Sequence, residues 1–82
     1  MDADTIKGMI EAGMADAEVQ VEGDGSHFQA LVICESFAGK NMVQQHKMVY
    51  QTLGDAMKEA IHALSLRTLT PEGWAEAKKR PF

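Results

Sequence analysis

At 82 residues the chain has room for one domain, and a chain this short buries only about 60% of its unfolded surface, so neither a second domain nor an enclosed substrate cavity is expected. A hydrophobic share of 45% and a charged share of 24% describe an ordinary globular chain rather than a disordered or fibrous one. The net charge of -4 argues against strong non-specific nucleic-acid binding, because that affinity comes from cations neutralising phosphates.

The single cysteine, Cys34, excludes an internal disulfide framework and fits a reducing compartment. Met1 to Glu11 carries three acids and one lysine, with no apolar run long enough for a signal peptide or a membrane span. A cytoplasmic protein without a membrane segment is expected. Six methionines suit a plastic core, since the flexible thioether fills irregular gaps.

The first element is a helix. Asp4 is placed to cap it, Ile6, Met9 and Ile10 recur at helical spacing, and Gly13 is placed to end it as a C-cap. The period then changes. Ala17, Val19 and Val21 alternate with Glu18, Gln20 and Glu22, which predicts a strand with one wet face. Gly23 to Ser26 supplies turn-forming residues, and His27 to Cys34 reads as the returning strand of a hairpin. Pairing Glu22 with His27 sets Val21, Val19 and Ala17 on the same face as Phe28, Ala30 and Val32.

Glu35 to Lys40 is a connection. Asn41 can cap a helix with Met42, Val49 and Leu53 at apolar positions, and Gly54 with Asp55 interrupts it. A second helical run carries Met57, Ala60 and Ile61. Ala63 to Leu69 is a short apolar strand. Thr70-Pro71 is an N-cap followed by proline at the first helical position, where the missing N–H costs nothing. Trp74 and Ala77 are expected to pack inward, and Lys78, Lys79 and Arg80 suit the negative end of that helix.

The order is α-β-β-α-α-β-α, an α+β domain spanning 1–82 with a mixed three-stranded sheet and its helices on one face. A helical crossover makes the second and third strands parallel if they are neighbours, so both begin at one sheet edge. His27 opens one and His62 the other. Two imidazoles there can ligate a metal or an iron–sulfur centre, or each can make a surface hydrogen bond at a strand end. Two ligands leave a cluster incomplete, so a partner would supply the rest.

Other residues give less. His46 sits beside the apolar face of its helix and reads as a hydrogen-bonded structural histidine. Cys34 shares the inward parity and reads as buried and inert. The candidate nucleic-acid contacts are Lys40, Lys47, Lys78, Lys79 and Arg80, although helix capping explains the last three equally well. No nucleophile, base and oxyanion arrangement can be assembled, so an enzyme is not expected.

Four ordered segments together resemble the BolA-like family. They are Gly23-Asp24-Gly25-Ser26-His27-Phe28, Gln45-His46-Lys47-Met48-Val49-Tyr50, Ile61-His62-Ala63-Leu64-Ser65-Leu66 and Thr70-Pro71-Glu72-Gly73-Trp74. The short loop is similar to that of the acid-stress-associated branch. The resemblance implies a fold like class II KH domains and a role in iron–sulfur cluster handling or iron regulation, with a monothiol glutaredoxin as partner and the chain a monomer when alone. In such pairs a [2Fe–2S] cluster is shared, held by the glutaredoxin cysteine, glutathione and BolA side chains. His62 matches the family's ligand position. Many relatives carry a second ligand in the loop between the first two strands. Here Gly23 to Ser26 contains no cysteine or histidine, and His27 is the nearest donor. The family is also linked to transcriptional regulation, but the Gly-x-x-Gly clamp of KH domains is absent.

Overall fold

The computed structural model of the chain describes residues 2–55 and 64–79. The first helix, α1, runs Ala3–Gly13. Its cap is Asp2, whose side chain accepts from the Thr5 N–H at 2.8 Å. Asp4, the expected cap, lies inside the first turn. A capping carboxylate must reach the N–H three residues on, and that geometry selects Asp2, while Asp4 still suits the positive helix end.

Gly13 is the last helical residue, and Met14 is the cap, its N–H bonded to the Ile10 carbonyl at 2.9 Å. Glycine is required at 13 by close approach rather than by a left-handed backbone. A Cβ built there would stand 2.6 Å from Thr52 Cγ2. Gly54 is the contrasting case, ending its helix with φ at 53°, a region that favours glycine.

Strands β1 (Glu18–Gly23) and β2 (Phe28–Ile33) pair antiparallel, and β2 pairs parallel with β3 (Leu64–Leu69), in the order β1-β2-β3. The faces agree with the alternation, but the register is displaced by two residues. Val21 stands opposite Ala30, and Val19 opposite Val32. A displacement of two preserves which face each side chain takes. The turn keeps its four residues but sits one position further along the chain, Asp24 to His27 rather than Gly23 to Ser26, where the Asp24 carboxylate closes on the Ser26 and His27 N–H groups.

Helix α2, Met42–Leu53, opens on Asn41 with a reciprocal capping box to Gln44. Met42, expected to face inward, is exposed, because it occupies the first helical turn beyond the reach of the core. A short 3-10 turn, Glu35–Phe37, carries Phe37 inward. The last helix, α3, spans Pro71–Lys79, with Thr70 Oγ1 accepting from the Gly73 N–H at 3.0 Å. The expected second middle helix, with Met57, Ala60 and Ile61, lies outside the described residues.

The core lies between one sheet face and the pair α1 and α2. Ile6 and Ile10 meet Val49, Leu53, Val19, Phe28, Val32 and Phe37, with Met9, Met14 and Met48 filling around them. Each fully buried aliphatic or aromatic side chain contributes about 1.5–3 kcal/mol. Helix α3 departs from the expected single helical layer. Trp74 and Ala77 are only half-buried, and Trp74 lines a depression with Gln29, Leu31 and Arg67, residues of outward parity. The proline-started turn after β3 sends α3 to the sheet face that α1 and α2 leave open. No helix among the described residues is long and apolar enough to cross a membrane.

Candidate functional site

The candidate site is the sheet edge at which β2 and β3 begin. Phe28 and Leu64, the first residues of the two strands, are register partners. His27 precedes Phe28 as the last residue of the hairpin turn, one position outside the strand it was expected to open. His62 lies outside the described residues, as does Arg80.

The turn that presents His27 is held by one carboxylate. Asp24 Oδ1 accepts from the Ser26 N–H and the His27 N–H, each at 2.9 Å, and the Asp24 N–H donates to the His27 carbonyl at 3.2 Å. The His27 hydrogen bond, then that of Ser26, holds the Asp24 carboxyl below its ordinary 3.8, and the nearby imidazole adds to this. Both hydrogen bonds favour the charged form. The result is a tied-down loop carrying an exposed imidazole. With Gly23, Asp24 and Gln29 it borders a shallow depression of about 280 Å³.

Cys34 cannot reach this edge. It follows β2 at the opposite end, about 20 Å from His27 along an extended strand, and is 1% exposed. The reading of Cys34 as buried agrees with its place in the core. Among the described residues no group of three or more histidine, cysteine or acidic side chains is arranged to hold a metal ion.

The other nominated residues fall into two separate groups. Lys40 and Lys47 are exposed at the start of α2 and along it. Lys78 and Lys79 belong to α3, on the other side of the sheet. There Lys78 Nζ lies 5.4 Å from the Trp74 ring centroid, and Lys79 Nζ is 3.9 Å from Glu76. The fold therefore does not assemble these cations into one strip.

His46 departs from expectation. It is half-buried, yet its Nε2 is buried without a hydrogen-bond partner among the described residues, and its ring meets Tyr50 edge-on at 6.4 Å. The same helix leaves Val43 76% exposed and Tyr50 37% exposed. These two apolar residues seven apart share a helical face. Their spacing is visible in the sequence, but their exposure is not.

The family profile described as BolA-like protein matches residues 9–73. The acid stress protein IbaG of Escherichia coli is 35% identical over 80 residues, covering 96% of this chain and 95% of its own. The DNA-binding transcriptional regulator BolA of Vibrio cholerae is 43% identical over 54 residues, covering 66% of this chain and 51% of its own. A bolA protein homologue from Coxiella burnetii has a similar structure, with a TM-score of 0.83 and 42% identity over 92% of this chain and 97% of that one.

Proposed function

Because this chain belongs to the BolA-like family, we propose that it acts without catalysis, by binding a monothiol glutaredoxin in the cytoplasm and sharing a [2Fe–2S] cluster with it. The observation that carries the reading is the parallel pairing of Phe28 with Leu64. It makes the two strands begin at one edge, with His27 adjoining one strand and His62 two residues before the other in the chain.

The donor chemistry at this edge fits the role. His27 is exposed, and a neutral imidazole can ligate iron in a two-iron centre. The one cysteine is sealed in the core, so thiolate ligands must come from elsewhere. The glutaredoxin cysteine and glutathione would supply them, His62 would complete the set, and His27 is the second nominated donor. When bound, the cluster supplies a transferable iron–sulfur unit. This chain contributes ligands, an oriented loop and a surface for the partner.

The test is reconstitution of the pair with iron, sulfide and glutathione, read by visible circular dichroism. His62→Ala is expected to abolish or reshape the cluster spectrum, and His27→Ala to change it less. A spectrum unaltered by His62→Ala overturns the ligand assignment.

A second reading, a nucleic-acid-binding regulator, draws on the name of the Vibrio cholerae relative and on the exposed Lys40 and Lys47. It requires salt-sensitive binding that weakens when those lysines are neutralised. Absence of DNA binding at low salt removes it.

A further inference from the structure

The sheet face turned away from the core carries a second depression, which shares only Glu22 and Gln29 with the one beside His27. Register sets Leu31 beside Arg67, and Glu22, Gln29 and Ser65 in the next row. With Trp74 of α3 as a wall, these residues line a depression of about 310 Å³, the lower end of the range for small-molecule sites. Its charges stand at opposite corners. Arg67 is on β3 and Glu22 on β1, and two strand spacings with two residues of rise put their Cα atoms about 12 Å apart. The ion pair among the described residues is Lys79 with Glu76, so neither corner charge is engaged there.

We propose that this depression binds a short zwitterionic peptide with an apolar side chain. The Arg67 guanidinium takes the terminal carboxylate in a forked pair of charge-assisted hydrogen bonds. Glu22 takes the terminal ammonium. Leu31 and the Trp74 ring receive the side chain, while the Gln29 amide and the Ser65 hydroxyl exchange hydrogen bonds with the peptide groups. An extended tripeptide spans roughly 10 Å, which the two corner side chains close by reaching inward. A free phosphate would use Arg67 and leave Glu22 without a partner, because exposed charges about 12 Å apart are largely screened from each other; only a ligand with a cation at its other end engages both corners.

Trp74 is the chain's one tryptophan, so its fluorescence reports occupancy directly. Glycyl-leucyl-glycine titrated into the full chain is expected to give a saturable change, with amide shifts at Gln29, Leu31 and Ser65 in heteronuclear NMR. Amidating the peptide's C-terminus, or Arg67→Gln, is expected to weaken binding about tenfold, the loss of one charge-assisted pair. N-acetylation or Glu22→Gln is expected to weaken it severalfold. Both protein changes are at exposed positions, and far-UV circular dichroism checks that each variant is folded. No saturable change, equal affinity for the amidated peptide, unchanged binding by folded Arg67→Gln, or full displacement by equimolar inorganic phosphate overturns the proposal.

Discussion

Phe28 and Leu64 stand opposite each other as the first residues of two parallel strands. The crossover from β2 to β3 returns the chain to the edge from which β2 started. His27 adjoins that edge, and Cys34 leaves from the other end of β2. The same topology that nominates an imidazole pair therefore excludes the chain's own thiol from it.

Asp24 is the tie that orients His27. Its folded-state pKa is depressed, so its contribution to stability is present above the unfolded value of 3.8 and is lost as pH falls through the folded value. Asp24→Ala is expected to lower the urea midpoint at pH 7. The gap to wild type should close as pH falls below about 4, in parallel denaturation curves at stepped pH. A gap of constant size down to pH 2 contradicts the charged-carboxylate account.

Gly13 lets α1 and α2 touch. Alanine is the better helix former by about 1 kcal/mol, but its Cβ would meet Thr52 Cγ2 at 2.6 Å and Cβ at 2.8 Å. Overpacking of this kind costs about 1–3 kcal/mol, so Gly13→Ala is expected to destabilise on balance. Thr52→Ala removes Cγ2 and leaves Cβ, and should recover part of the loss in the double variant. Equilibrium unfolding of the four proteins in the cycle measures both effects.

Gln45 joins three segments. Its Nε2 donates to the Phe37 carbonyl at 3.2 Å and the Lys40 carbonyl at 2.8 Å, while its Oε1 accepts from Thr68 Oγ1 at 2.7 Å. Thr68 is buried, so Thr68→Val should cost about 1–3 kcal/mol by leaving Gln45 Oε1 without its donor. Gln45→Leu should cost more, since two carbonyls lose a donor as well. Additive losses in the double variant would show that the three bonds do not act together.

The hairpin faces were legible because alternation fixes parity, and a displacement of two residues in register leaves parity untouched. Asn41 and Gly54 were legible as helix ends because each acts locally. The true cap at Asp2 and the reason for Gly13 were not, since the first depends on where the helix starts and the second on a neighbour in another helix. Trp74 was misplaced because apolar character does not say which sheet face a terminal helix will cover. The His27 edge followed from topology, whereas the outward depression depends on Arg67, Glu22 and Trp74 meeting across three elements.

The proposed function requires this chain and a monothiol glutaredoxin to hold one cluster between them. Native mass spectrometry of the reconstituted mixture tests it most directly. A one-to-one heterodimer carrying two irons and two sulfides is expected, depleted when His62 is replaced by alanine. A glutaredoxin that keeps the whole cluster in its own homodimer, beside free monomers of this chain, would contradict it.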